Sequence, residues 1–160
     1  SNAVRAAFSL IIIDSPPRLT TGAIQALAAG THLLVPTVLD GPSSEAVVTF
    51  VRQVETFRKA GICPYIKYIG VVGTLAAGQD DTKGAQKFLA DRLNDSWEKN
   101  GAGGVTKLLS PKSFIPRSKY FRRIARQGIA YLRMGDAQDT RPVKDAIGTL
   151  AVIVKKDMKL

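Results

Sequence analysis

One cysteine and one histidine in 160 residues remove several chemistries at once. Cys63 has no second cysteine with which to form an internal disulfide, and with His32 as the sole imidazole neither a Cys/His zinc cluster nor a Cys–His nucleophile pair is to be expected. Both residues read as belonging in or beside a core. A lone thiol fits a reducing compartment, so a cytoplasmic location is expected. No apolar run approaches the roughly 20 residues that span a bilayer, and the run from Phe8 to Ile13 contains Ser9 and ends at Asp14. A chain without a membrane partner follows as an expectation. No leader with a basic start and a long apolar middle is present. Ser1-Asn2-Ala3 has the composition of a remnant of tag removal and is set aside, leaving residues 4–160 as a single α/β domain.

Acidic residues are also scarce. There are 13 Asp plus Glu against 23 Lys plus Arg, for a net charge of +10, and a sequence pI near 10.0. The imbalance is local. From Lys99 to Arg133 stand Lys99, Lys107, Lys112, Arg117, Lys119, Arg122, Arg123, Arg126 and Arg133 with no acidic residue, interleaved with Tyr120, Phe121 and Tyr131. A one-signed stretch of this kind attracts phosphate backbones through counterion release without reading base sequence. The same charge also serves solubility, an acidic protein partner, or a face of the same protein outside this chain. Within the stretch, Lys119, Arg122, Arg123 and Arg126 are the DNA-binding candidates.

Short apolar runs alternate with longer amphipathic ones. Phe8 to Ile13, His32 to Val38 and Tyr68 to Leu75 are nearly continuous and rich in β-branched residues, as expected of strands buried on both faces. Ser43 or Ser44 is placed to cap a helix whose stripe is Val47, Val48, Val51, Val54 and Phe57. A second helix is predicted from about Thr82 to Trp97, with Phe88, Leu89, Leu93 and Trp97 inward. Gly101 to Gly104 reads as a linker. A further strand is expected at Val105 to Leu109 or Ser113 to Ile115, then a short basic helix from about Lys119 to Arg126. A last helix is expected from Arg141 to about Lys156, burying Val143, Ile147, Leu150 and Val154. The basic, partly apolar end from Ala151 to Leu160 is read as the core-facing end of that helix rather than as a membrane-seeking tail. Strands alternating with helices imply a mostly parallel sheet flanked by helices.

The chemistry-bearing segment is Ile11-Ile12-Ile13-Asp14-Ser15-Pro16-Pro17. A carboxylate at the carboxyl end of a buried strand stands where open α/β sheets bind ligands, and in nucleotide hydrolases such an Asp holds the shell of a Mg²⁺ ion. Asp also ends strands simply to cap the next turn. Pro16 and Pro17 stiffen the loop that follows and remove two donors.

Together these residues resemble the ParA/MinD family of deviant Walker-type partition ATPases. Ile12-Ile13-Asp14-Ser15-Pro16-Pro17, then Ala23 and Ala26-Leu27-Ala28-Ala29, then Leu33-Leu34-Val35-Pro36-Thr37, match in order and spacing the family's Walker B strand, switch II and following strand. Ile69-Gly70-Val71-Val72-Gly73-Thr74 resembles the next core strand, whose end lies near the nucleotide base. Ile115-Pro116-Arg117, with Gly128 twelve positions after Pro116, is similar to the family segment that passes beside the adenine. The resemblance implies the C-terminal part of a P-loop NTPase fold. Asp14 becomes the catalytic and Mg²⁺-holding residue, acting on the metal through water, and Thr74, Pro116 and Arg117 become the nucleotide contacts. Arg123-Ile124 and Ala130 depart from the family's Glu-Ala and proline, which alters the base pocket and makes it more basic.

The resemblance runs from Phe8 to the C-terminus, and no G-x-x-x-x-G-K-[ST] phosphate loop occurs anywhere in the chain. ATP and Mg²⁺ are therefore expected in a longer protein, and neither cofactor nor ATP hydrolysis in this chain by itself. In the family the strand carrying that loop lies near the middle of the sheet, so its absence should leave an open edge, which a homodimer is expected to cover. The partners implied are non-specific DNA and a ParB-like protein, and the process is chromosome or plasmid partitioning. Two other readings use the same residues: a stand-alone DNA-binding or adaptor module derived from the fold, and a related ATPase that positions a protein cargo.

Overall fold

The chain, described by a computed structural model over residues 6–16, 18–76, 79–118, 121 and 140–160, is α/β: a three-stranded parallel sheet flanked by helices. In chain order the elements are α1 (Thr21–Ala29), β1 (His32–Val38), α2 (Gly41–Lys59), β2 (Lys67–Ala76), α3 (Gln79–Asn94), β3 (Ile115–Pro116) and α4 (Arg141–Met158), with single 3₁₀ turns at Trp97–Lys99 and Pro111–Ser113. The strand order is β1-β2-β3.

β2 is the centre. Ile69, Gly70, Val71, Val72 and Gly73 are all buried, so helices cover both of its faces. β1 is covered less completely: Val35 and Thr37 are buried, while Pro36 and Val38 between and beyond them face out. The β1–β2 register slips once between Leu33 and Leu34, opposite Gly70, whose φ of +152° only glycine takes readily. A Cβ at Gly70 would also stand 2.8 Å from Leu109 Cγ, so the bulge lets the 107–109 segment close on the strand. There Val71 N donates to Lys107 O and Leu109 N donates to Val71 O, each at 2.8 Å.

The helices follow their apolar stripes. In α2, Val47, Val48, Val51 and Val54 are buried and Phe57 is half-buried. The cap is Asp40 rather than Ser43 or Ser44: its carboxylate accepts from Ser43 N at 2.7 Å, and the buried Ser44 hydroxyl donates to Asp40 O at 2.7 Å. Asp can cap from one residue before Gly41-Pro42, and Pro42 fits the first turn because it has no amide to satisfy there. In α3, Leu89 and Leu93 are fully buried, but Phe88 faces solvent. The reason is periodicity: Ala85, Leu89 and Leu93 are spaced i, i+4, i+8, and residue 88 points about 100° away from that line. Trp97 lies beyond the helix in a 3₁₀ turn, half-buried, with the Arg52 guanidinium 5.6 Å and the Lys59 ammonium 5.9 Å from its ring centre.

Gly101 to Gly104 is not a linker. It folds back over the end of α3, where Ala102 N, Gly104 N and Gly103 N donate to the carbonyls of Arg92, Leu93 and Asp95. Gly103 and Gly104 have φ of +65° and +70°, and such left-handed turns are how glycine closes a helix end. The last helix matches expectation closely. Val143 and Ala146 are buried, Ile147, Leu150 and Val154 are half-buried, and Val152 is exposed. The expected strand after the glycine turn is split between an isolated bridge, Val71 to Leu108, and the two-residue β3. The basic helix expected from Lys119 to Arg126 lies outside the described residues except for Phe121.

The largest departure from the sequence reading is at the start. Phe8 to Ile13 forms no strand, and its apolar side chains are exposed, Ile12 at 83% and Phe8 at 62%. A strand is stable only when its amides and carbonyls meet a neighbour, and among the described residues this segment has none. The outer edge of β1 is likewise without a strand partner. Cys63, Val54, Leu27 and Ile66 form a smaller cluster beneath α1 and α2, closed by Tyr68, whose hydroxyl donates to Val51 O at 3.5 Å. Burial, and then the nearby Glu55 carboxylate, push the Tyr68 phenol well above its usual range.

Two outcomes follow from this packing. Leu89→Ala should cost about 2–5 kcal/mol in urea unfolding and Phe88→Ala under about 1 kcal/mol, because only the first opens a cavity. Asp40→Ala should lower the melting temperature at neutral pH. Hydrogen bonds from Ser43 hold the Asp40 carboxyl below its ordinary 3.8, so the cap's contribution is present above that pH and is lost as pH falls through the lower folded value. The melting curves of wild type and variant should therefore converge only at pH values below that lowered pKa.

Candidate functional site

The carboxyl edge of a parallel sheet is where strands open into loops and where such folds bind ligands. Here that edge is built from the ends of β1, β2 and β3. Thr37 is buried at the end of β1, and its carbonyl accepts from Thr74 Oγ1 at 3.1 Å, which ties the ends of β1 and β2 together through a side chain. Thr74 pairs with Ile115 and Ala76 with Pro116 in the β2–β3 register, and Arg117 N donates to Ala76 O at 3.0 Å. Thr74, Pro116 and Arg117 are thus brought together on one edge. Thr74 and Pro116 are half-buried, and the Arg117 side chain is exposed.

Between Thr74 and Ala76 the register shifts, and Leu75 takes a φ of 52°. A β-carbon in the left-handed region costs roughly 1–2 kcal/mol, and Leu75 is more than half exposed, so burial does not offset the strain. The strain turns the chain at the site edge, next to Thr74.

Asp14 belongs to no strand. It is exposed, on the irregular segment outside the sheet. Among the described residues no group of three or more His, Cys, Asp or Glu side chains is arranged to hold a metal. Lys119, Arg122, Arg123 and Arg126 lie outside the described residues. The described members of the basic stretch do not share one face: Arg117 stands at the carboxyl edge, while Lys107 lies toward the amino ends of the strands, beside His32 and Lys67. Cys63 is buried, and its burial pushes the thiol pKa up, away from a nucleophile's range.

Two features escaped the sequence reading. One is a small cavity of about 140 Å³ between α2 and Trp97, lined by Arg52, Glu55, Thr56 and Lys59. Its cations are engaged with the indole ring, and Arg52 also donates to Asn100 Oδ1 at 3.4 Å. The other is a cleft of about 430 Å³ at the amino edge of the sheet, bordered by His32, Lys67 and Lys107. No spacing rule joins these residues, because register and the Gly70 bulge bring them together. No family model matches the chain, and no curated protein matches it. Among the described residues no helix is long and apolar enough to cross a membrane.

Leu75→Gly should relieve the left-handed strain and raise stability by up to about 1 kcal/mol in chemical denaturation, with no comparable gain from Leu75→Ala. A loss of stability in the glycine variant would mean that side-chain contacts, not backbone strain, govern this position.

Proposed function

We propose that this chain is the C-terminal part of a ParA-like ATPase domain for chromosome or plasmid partitioning, one that binds DNA non-specifically. The observations that carry this reading are two unsatisfied features, an apolar segment and a sheet edge. Phe8 to Ile13 is a strand-like apolar segment with no neighbour, and the outer edge of β1 is open among the described residues. A further strand paired with each would satisfy both. In the resembled family that is the strand carrying the phosphate loop. The gathering of Thr74, Pro116 and Arg117 at the carboxyl edge supports a base-contacting role for them in the complete domain.

The residues present do not by themselves fit ATP and Mg²⁺. Asp14 stands exposed outside the sheet, and no phosphate loop of glycines and lysine occurs in the sequence. No hydrolytic step is assigned to this chain. In the longer protein Asp14 would hold Mg²⁺ through water, and ATP would be cradled by residues that this chain does not supply. The open edge also supports a homodimer, in which a second copy covers the unpaired strand. A ParB-like protein is the partner that the family reading adds.

Non-specific DNA binding is tested by titrating unrelated duplexes at several salt concentrations. Binding should weaken steeply with salt for every sequence. Replacing Lys119, Arg122, Arg123 and Arg126 by Ala should flatten the slope by roughly 0.9 for each phosphate contact removed. ATP turnover should be absent from this chain and present in the longer gene product, where Asp14→Ala should abolish it. Hydrolysis by the 160-residue chain, or DNA affinity indifferent to salt, would overturn the proposal.

A further inference from the structure

At the carboxyl edge the β2–β3 register runs from Thr74 opposite Ile115 to Ala76 opposite Pro116, so β2 carries one extra residue at that step, Leu75. A bulge of this kind re-aims the side chain of the extra residue, and bulges are common beside binding sites for that reason. Leu75 takes a φ of 52° there, a backbone that suits glycine and strains a leucine. Burial does not account for the side chain either, since Leu75 is 53% exposed. A lone exposed leucine is ordinary on a protein surface. One set on a left-handed backbone at a bulge is an outlier, and such outliers cluster at ligand contacts.

The neighbours of Leu75 point to the kind of ligand. The Thr74 hydroxyl donates to Thr37 O at 3.1 Å, so its proton is committed to joining the ends of β1 and β2. Arg117 N is likewise spent on Ala76 O at 3.0 Å, while the Arg117 side chain is exposed. Left for a ligand at this step are the apolar surface of Leu75 and of the half-buried Ile115 and Pro116, and one guanidinium. Apolar surface beside a single planar cation suits a flat heteroaromatic ring. The face of such a ring packs on aliphatic groups and stacks on a guanidinium, and its ring nitrogens accept from N–H donors.

We infer that Leu75 is a base-contacting residue of the carboxyl edge, packing against the face of a purine. This rests on the nucleotide reading of Thr74, Pro116 and Arg117 and alters it: the contact at the end of β2 is the leucine side chain rather than the threonine hydroxyl beside it.

The probe is AMP, which carries the base with a single phosphate, and ribose 5-phosphate is the control without a base. Each is titrated onto the whole chain and read by saturation-transfer NMR, which suits the low affinity expected where no phosphate loop is present. With wild type, the purine H2 and H8 protons should be saturated, and ribose 5-phosphate should give no response. Leu75→Met should bind AMP as wild type does. Leu75→Gly and Leu75→Ala should both lose at least about five-fold in affinity, as expected when part of a leucine's apolar contact is removed. The glycine variant should do so although it is the more stable protein in denaturant, whereas a merely structural role for Leu75 would preserve its binding. Wild-type AMP affinity in either variant, with affinity still lost in Arg117→Ala, would overturn this inference and leave the nucleotide reading standing. No AMP response in wild type, or an equal response to ribose 5-phosphate, would overturn both.

Discussion

The structure hangs on β2. Its five consecutive buried residues, Ile69 to Gly73, are the only place among the described residues where an element is covered from both sides, and every other part is positioned by what it does to this strand. β1 pairs along one edge, β3 and the 107–109 segment along the other, and α4 packs against β2, β3 and the Pro111–Ser113 turn. Two glycines make that density possible. A Cβ at Gly73 would stand 2.8 Å from Leu39 Cδ1 and 2.9 Å from Phe114 Cγ, as one at Gly70 would crowd Leu109. The strand therefore trades side-chain bulk for close approach, and the apolar volume is supplied by Leu39, Leu109 and Phe114 from its surroundings.

What β2 has, β1 has only in part. Its inner edge is paired and its outer edge is open among the described residues, and the side chains of Pro36 and Val38 are exposed. An exposed backbone edge invites addition of another strand, because that addition would satisfy its amides and carbonyls. Phe8 to Ile13 has the composition of a buried strand and lacks the same kind of neighbour. Both features are the same kind of deficit, a strand-forming surface without a partner among the described residues.

Much of the fold was legible in the sequence where one strong local signal acted alone. His32 to Val38 and Tyr68 to Leu75 were readable as strands from continuous β-branched runs, and Arg141 onward as a helix from its stripe. Misreadings arose where a local signal competed with a tertiary one. Phe8 to Ile13 carries a strand's composition, but strand formation is decided by a partner, which composition does not report. Gly101 to Gly104 has a linker's composition, yet its amides are needed to close α3. Phe88 is apolar, but the period of Ala85, Leu89 and Leu93 turns it outward. Of the candidate site, Thr74, Pro116 and Arg117 were named from the sequence, and the β2–β3 register brings them together. Leu75's left-handed backbone and the amino-edge cleft were not legible, since both arise from register shifts that no residue type announces.

The two ends of the sheet differ in how their polar groups are held. At the carboxyl edge the Thr74 hydroxyl is spent on the Thr37 carbonyl, and Arg117 N on Ala76, so this edge is fixed by internal bonds and offers mainly the exposed Arg117 side chain to a ligand. At the amino edge the helix ends are closed by backbone amides, and Lys67 and Lys107 stand exposed beside His32. A hydrogen-bonding group already satisfied gains little from a ligand, whereas one left buried and unpaired gains the full cost of its desolvation. By that reasoning the carboxyl edge, with its polar groups already paired, gains little hydrogen bonding from a ligand beyond what the exposed Arg117 side chain offers.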